Sequence, residues 1–142
     1  MPYVLDTDLL TLTEEGSRPL KERLAERLRA VPADEVFVTI VSFQEQVRGW
    51  LAYLNSARKD EQLLKGYERL VRLLGRYAAA NLLSFDRVAL ERFRELARLR
   101  LGVGTMDLRI AAIALTRNAT LLSRNLRDFR KVPGLTVEDW TV

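Results

Sequence analysis

Five polar residues of this chain lie where an α/β protein concentrates its chemistry. Asp6 directly follows the first apolar segment, Glu45 lies just after a second apolar run, and Asp107 lies near the start of a later helix. Asp128 comes just beyond the last long apolar segment, with Asn125 before it. In open α/β sheets, functional groups collect at the carboxyl ends of strands and at the amino ends of the helices that follow. We therefore expect these side chains to meet at one edge of a sheet.

The residue types that are missing narrow the possible chemistry. The 142 residues include no cysteine and no histidine, which excludes disulfides, thiolate or imidazole metal ligands and Ser-His triads. Carboxylates that converge raise one another's pKa unless a cation neutralises them. Mg²⁺ or Mn²⁺ suits such an oxygen set, and either ion can bind a phosphodiester oxygen and position a water. The chemistry indicated is phosphodiester hydrolysis.

Each acid also has a purely local explanation. Asp6 could cap the helix that follows it, and Ser42 to Glu45 fits the capping box Ser-x-x-Glu. Asp107 could complement a helix dipole, with Thr105 available as the cap, and Asp128 could cap a short turn. None of these acids is diagnostic alone, and only their convergence would make a shared site.

Composition indicates one globular domain, 1–142, that works in the cytoplasm. The chain is 48% hydrophobic and 30% charged, and no apolar stretch approaches the roughly 20 residues that span a bilayer. The first residues lack the pattern of a secretory signal. The net charge of +4 permits a phosphate-rich partner without requiring one.

Apolar segments and helical periodicities alternate along the chain. This alternation predicts an α/β fold with a mainly parallel central sheet of about five strands and helices on both faces. The predicted strands are 2–5, 35–41, 82–85, 120–123 and 135–137. The predicted helices are 17–31, 42–54, about 61–79, 86–101 and 107–117.

The helix predicted over 61–79 should form a hairpin with the one before it. Its apolar residues are expected to point inward, as are most of the aromatic side chains of the hairpin. The residues expected to face inward are Leu63, Leu64, Tyr67, Leu70, Val71 and Leu74, together with most of the surface of Trp50 and Tyr53.

Four motifs, in this order, resemble those of the PIN-domain toxins of the VapC type. They are Val4-Leu5-Asp6-Thr7-Asp8, Val41-Ser42-Phe43-Gln44-Glu45, the stretch 104–112 (GTMDLRIAA) and the block 119–129 (ATLLSRNLRDF). The resemblance extends over essentially the whole chain. It implies a PIN-like fold and a Mg²⁺- or Mn²⁺-dependent endoribonuclease, the toxin half of a type II toxin-antitoxin pair. It also implies a cognate antitoxin of the VapB type and a homodimer, and either partner could use the remaining apolar surface of the helical hairpin.

The resemblance also assigns roles to the polar residues. The acids matching Asp6 and Asp107 are the metal ligands of the family, and the one matching Glu45 completes the site. Asn125 is carried over as the fourth site residue, with Asp128 as its support, although an amide is a poorer metal ligand than a carboxylate.

Three further residues lie beside these acids. Thr7 and Ser123 could hydrogen-bond to the acids or to the attacking water, or could serve as local caps. The chain departs from the family at Asp8, where Asn is more usual. This extra charge could strengthen metal binding, but we expect it to cap a helix.

Four arginines lie close in sequence to the acids. Arg48, Arg124 and Arg127 are candidates for binding RNA phosphates. Arg109 is discounted, because a residue two positions after Asp107 points about 200° away around an ideal helix.

Two other functions start from the same residues. A catalytically weak PIN-fold binding module, acting through an antitoxin or a nucleic acid, is favoured by Asn125 and Asp8 but disfavoured by the three intact central acids. A phosphoacceptor domain would use Asp6 as the modified residue, but the lysine that such domains place after a later strand is missing.

Overall fold

A single parallel sheet runs through the computed structural model, which describes all 142 residues. The strands have the spatial order β3-β2-β1-β4-β5, and every neighbouring pair is parallel. This confirms the predicted α/β sheet. The strands are β1 (Tyr3–Leu5), β2 (Val36–Thr39), β3 (Leu82–Leu83), β4 (Thr120–Leu122) and β5 (Thr136–Glu138).

Seven helices connect and cover the strands. They are α1 (Thr7–Glu15), α2 (Arg18–Arg29), α3 (Ile40–Asn55), α4 (Asp60–Ala79), α5 (Arg87–Arg98), α6 (Thr105–Thr116) and the short α7 (Leu126–Phe129). A 3₁₀ turn, Ala33–Glu35, leads into β2. No helix combines the length and the apolar composition needed to cross a membrane.

Alternate residues of the central strands serve two different apolar clusters. Val4 and Leu121 belong to a cluster with α5 and α6, whereas Leu5 and Leu122 belong to one with α1, α2 and α4. Successive side chains of a strand point to opposite faces of the sheet. Helices therefore cover both faces, as predicted.

The strand order reverses direction at the pair β1 and β4. The chain proceeds from β1 outward to β2 and β3, then returns to place β4 on the other side of β1. Val4 pairs with Leu121 and Leu5 with Leu122, so the two strands end level with each other. In such sheets the crevice outside the carboxyl ends at the switch point is the usual ligand site. Asp6 and Ser123, which follow β1 and β4, lie at this crevice.

The boundary between β2 and α3 differs from the prediction. β2 ends at Thr39 and α3 begins at Ile40, whereas a strand to residue 41 was expected. The side-chain oxygen of Thr39 accepts a hydrogen bond from the Ser42 amide at 3.1 Å and caps the helix. Because Thr39 is the cap, the capping box beginning at Ser42 is not formed. The Glu45 carboxylate therefore does not cap the amino terminus of its own helix.

The prediction that the apolar residues of α4 point inward is wrong for most of them. Leu64, Tyr67, Val71 and Leu74 are 72%, 61%, 71% and 64% exposed, and Leu63 is also exposed. The side of α4 that packs inward instead carries Gly66, Leu73 and Tyr77.

The reason lies in the contact between α4 and α3. A Cβ atom on Gly66 would lie only 2.4 Å from Leu54, so this glycine allows the two helices to approach closely. Trp50 and Tyr53 are half-buried, with their rings 5.3 Å apart. Apolar residues occupy more than one side of α4, so periodicity alone does not identify the packed side.

Candidate active site

Asp6 occupies the centre of the crevice and is 4% exposed. It is the N-cap of α1, and its Oδ1 accepts a hydrogen bond from the Thr7 amide at 2.8 Å. Its Oδ2 accepts one from the Ser123 hydroxyl, also at 2.8 Å. Asp6 therefore caps α1 with one carboxylate oxygen, as the local explanation expects. It turns the other oxygen towards β4, as a shared site requires.

The carboxyl group of Asp6 is electrostatically uncompensated. Burial, together with the nearby charges of Asp8 and Asp107, raises its pKa to about 8, against an ordinary value of 3.8. The two hydrogen bonds from Ser123 and Thr7 oppose this shift but do not cancel it. A buried carboxyl in this condition attracts a cation, because a positive charge would stabilise its ionised form.

Asp107 joins Asp6 from the first turn of α6. The N-cap of α6 is Gly104, so the expectation that Thr105 caps this helix is wrong. Burial raises the pKa of Asp107, and the charges of Glu45, Asp128 and Asp8 raise it further. These mutual effects show that the structure brings the predicted acids into one electrostatic cluster.

Glu45 is held by the hydroxyl group of Thr7. The Thr7 hydroxyl donates to Glu45 Oε1 at 2.6 Å, and it shares a 2.8 Å hydrogen bond with Ser42 Oγ. Ser42 is fully buried and also contacts Thr39, the cap of α3. Thr7 therefore links the start of α1 to Glu45 on α3, and it fixes the position of one of the two Glu45 oxygens.

Asn125 and Asp128 form a unit of their own. Asn125 caps α7, and its side-chain amide donates to Asp128 Oδ2 at 3.1 Å. This hydrogen bond, followed by the nearby Lys131 ammonium, lowers the pKa of Asp128. The Asn125 backbone amide donates to Ser123 Oγ at 2.9 Å. The side chain of Asn125 thus orients Asp128 at the edge of the acidic cluster.

The expectation that Asp8 caps a helix is wrong, since Asp6 is the cap. Asp8 Oδ2 accepts a hydrogen bond from Arg124 Nε at 3.2 Å, and its Oδ1 is buried without a partner. Asp8 raises the pKa of both Asp6 and Asp107. It therefore belongs to the cluster. In the sequence, the spacing of two residues between Asp6 and Asp8 was the signal for this membership. An acid in the first turn of a helix is, however, usually explained by the helix dipole.

The oxygen atoms of this cluster suit a hard divalent cation. No three acidic side chains are gathered closely enough to hold a metal ion as a ready-made set. Mg²⁺, however, commonly binds through one or two carboxylates and keeps several waters. Asp6 and Asp107 supply two carboxylates with raised pKa values, and the charge of Asp8 acts on both of them. The donor set is therefore compatible with Mg²⁺ or Mn²⁺.

The four arginines near the acids separate into different environments. Arg124 is paired with Asp8, and Arg127 is exposed beside Asp128, whose pKa it helps to lower. Arg48 and Arg109 both line a hollow beside α3. Arg109 lies over the Phe93 ring at 5.3 Å, so it points away from the acids, as its spacing predicted.

Comparison with known proteins identifies a matching family, similar sequences and a similar solved structure. The sequence model of the PIN domain family matches residues 3–135. The chain is similar to ribonuclease VapC1 of Haemophilus influenzae, with 27% identity over 144 residues and 99% of both chains covered. It is also similar to the tRNA(fMet)-specific endonuclease VapC of Salmonella typhimurium, with 44% identity over 46 residues, 32% of this chain and 35% of that one. The solved structure of DNA-bound VapBC from Salmonella typhimurium has the same fold. Its TM-score is 0.73 at 23% identity, and 99% of this chain and 98% of that one are covered.

Proposed function

Because the chain belongs to the PIN domain family, we propose that it is a Mg²⁺- or Mn²⁺-dependent endoribonuclease, the toxin component of a type II toxin-antitoxin system. It hydrolyses RNA phosphodiester bonds in the cytoplasm. The observation that carries this proposal is the buried, uncompensated Asp6 next to Asp107 at the switch point of the sheet. The relatives named as VapC ribonucleases, one of them similar over its whole length, support RNA as the substrate.

Each side chain of the site has its own role in the reaction. Asp6 and Asp107 would hold the metal ion, which when bound would supply positive charge to the phosphodiester and to the leaving oxygen. Glu45 orients the attacking water and accepts its proton, while Thr7 keeps Glu45 in place.

Ser123 and the Asn125-Asp128 unit complete the site. Ser123 fixes the second oxygen of Asp6, so that the ligand atoms are already oriented before the ion arrives. Asn125 holds Asp128 at the edge of the cluster, where the Asp128 carboxylate adds to the negative field that attracts a cation. The fourth acidic group of the site is therefore Asp128, and Asn125 is its positioning residue.

The proposed partners follow from the same relatives. The Salmonella typhimurium neighbour is a VapBC complex. By analogy, this chain pairs with an antitoxin of the VapB type that holds it inactive, and it forms a homodimer. The exposed side of α4, with Leu64, Tyr67, Val71 and Leu74, is apolar surface available for such contacts.

Cleavage of RNA by the purified chain, freed from any antitoxin, tests the proposed activity. We expect cleavage of single-stranded RNA with Mn²⁺ or Mg²⁺, none with EDTA, and a loss of at least about a hundredfold for Asp107→Asn. Calorimetric titration with Mn²⁺ gives an independent measurement of the site. Absence of both cleavage and Mn²⁺ binding would refute the proposal, while Mn²⁺ binding without cleavage would favour the catalytically weak binding module.

A further inference from the structure

A hollow of about 740 Å³ lies between α3 and α5, outside the acidic crevice. Most of its lining is apolar, but three arginines also line it, one from each of α3, α5 and α6: Arg48, Arg94 and Arg109. No acidic residue lines it, and none of the three arginines forms an ion pair. The hollow is therefore strongly positive and apolar at the same time.

The hollow is lined from the same two helices, α3 and α6, that carry Glu45 and Asp107. On α3, Gln44 and Arg48 both line it, and they lie one residue before and three residues after Glu45. On α6, Arg109 follows Asp107 by two residues, a rise of about 3 Å along the axis, but its side chain lies on the opposite side of the helix. A chain-like ligand that extends from the acidic crevice past Glu45 would reach the hollow at Gln44 and Arg48.

The lining matches the parts of a nucleotide. Arginines bind phosphate oxygens, and aromatic rings and guanidinium planes stack on bases. The half-buried Phe85 offers a ring at the hollow, 5.9 Å from the ring of Phe93. Gln44 and Asn55 line it with side-chain amides that make no hydrogen bond within the protein, and amides of this kind recognise base edges. The volume lies within the range of about 300 to 1,000 Å³ typical of ligand pockets.

A second copy of the chain suits the hollow less well than an anion does. A two-fold contact sets the same surface patch against itself. If the two-fold axis passed through the hollow, three arginines from each copy would come together with no acid in the lining to compensate. Like charges brought together at an interface are repulsive, so the charge pattern favours a negatively charged ligand.

We propose that this hollow is the subsite for the nucleotide next to the cleaved phosphodiester of single-stranded RNA. Arg48, Arg94 and Arg109 bind its phosphate, and Phe85 and Gln44 contact its base. This inference rests on the proposed ribonuclease function and adds to it a binding site away from the metal ligands. It also gives a role to Arg109. This arginine points away from Asp107 and was therefore discounted at the acidic crevice, but it lines the hollow.

The test is the binding of a short fluorescent single-stranded RNA in EDTA, where no cleavage occurs. Arg94→Ala removes an exposed arginine of the hollow, and Arg29→Ala removes an exposed, unpaired arginine of α2, which packs against the other face of the sheet. We expect Arg94→Ala to weaken binding about tenfold and to reduce the salt slope by about 0.7, the value for one single-strand phosphate contact. Arg48→Ala should act similarly, and Arg29→Ala should bind like the unaltered protein. Equal binding by all four proteins would overturn the subsite.

Cleavage and sedimentation measurements separate this inference from its alternatives. If the unaltered protein cleaves RNA in Mn²⁺ while Arg94→Ala keeps its KM and binding constant, the subsite fails and the ribonuclease stands. If the unaltered protein cleaves no RNA, the proposed function itself fails. If Leu51→Glu, at the apolar wall of the hollow, converts a dimer into a monomer in sedimentation, the hollow is a subunit interface and the nucleotide subsite is overturned. A Leu51→Glu protein with unchanged mass and weakened RNA binding would support the subsite.

Discussion

Thr7 connects the first helix of the chain to the carboxylate of Glu45, 38 residues away. Removing its hydroxyl should leave Glu45 free to change rotamer. We expect Thr7→Val to lower kcat about tenfold, with little change in KM, because a positioned general base contributes about 10²- to 10⁴-fold and a misoriented one loses part of this. Steady-state cleavage of a fluorescent RNA with saturating Mn²⁺ measures both constants.

The matched control for this substitution is Thr11→Val, one turn further along α1. Thr11 is exposed and its hydroxyl makes no hydrogen bond to an acid. Thr7→Ser, which keeps the hydroxyl, should recover most of the activity. Full kcat in Thr7→Val would show that Thr7 does not position Glu45 during the reaction.

The raised pKa of Asp6 predicts how the stability of the metal-free protein depends on pH. The folded protein keeps a proton on Asp6 up to about pH 8, whereas the unfolded chain releases it near the ordinary value of 3.8. Between these values the folded state binds more protons, so its stability decreases as the pH rises. We expect the Tm in EDTA to fall steadily from pH 5 to pH 8.

Two variants and a metal addition distinguish Asp6 from other titrating groups. Asp6→Asn cannot ionise, so its Tm should depend much less on pH. Glu26→Gln, an exposed α2 residue without an ion pair, should keep the slope of the unaltered protein. Mg²⁺ should restore Tm mainly at the higher pH, where Asp6 is ionised. A Tm in EDTA that rises from pH 5 to pH 8 would contradict the raised pKa.

At the scale of the elements, the sequence predicted the number and direction of the strands because each buried strand is a short apolar run between polar turns. The boundary between β2 and α3 was missed because Ile40 and Val41 continue that apolar run into the helix. Only the hydrogen bond from the Ser42 amide to Thr39 shows where the helix begins. A side-chain cap of this kind depends on the rotamer of Thr39, which periodicity does not encode.

The candidate site, like the elements, was predicted from the sequence only in part. The convergence of Asp6, Glu45 and Asp107 follows from strand ends and helix starts, which the sequence marks. The participation of Asp8 and the bond from Asn125 to Asp128 depend on which way short side chains turn within a single helical turn. Several local caps were equally compatible with the residue types, so the sequence alone did not separate them.

Adjacent leucines of α4 provide a test of the packing that the sequence mispredicted. Leu73 is 1% exposed, whereas Leu74 is 64% exposed. We expect Leu73→Ala to lower the free energy of unfolding by about 2 to 5 kcal/mol, because it leaves a cavity in the core. Leu74→Ala should change it by less than about 0.5 kcal/mol. Urea unfolding followed by circular dichroism measures both, and equal losses would mean that Leu74 is buried in solution, for example by a second copy.

At the scale of the whole molecule, one sheet supports both apolar clusters and the acidic crevice. Val4 and Leu5 of β1 point to different clusters, so the loss of either cluster exposes the central strand. The same strand ends at Asp6. The stability of the two sheet faces and the geometry of the site should therefore be coupled through the central strands, β1 and β4.

This coupling predicts that the purified chain unfolds in one cooperative step. Trp50 and Trp140 pack against the cluster with α1, α2 and α4, whereas most of α5 and α6 pack against the other one. Tryptophan fluorescence therefore reports on one face of the sheet, and the far-ultraviolet circular dichroism of the helices reports on both. In thermal unfolding of the metal-free protein, the two signals should give the same Tm, with a heat-capacity change of about 2 kcal/mol/K for a chain of this length. If fluorescence is lost before the helices melt, the two faces are separate folding units and the residues 1–142 do not behave as one domain.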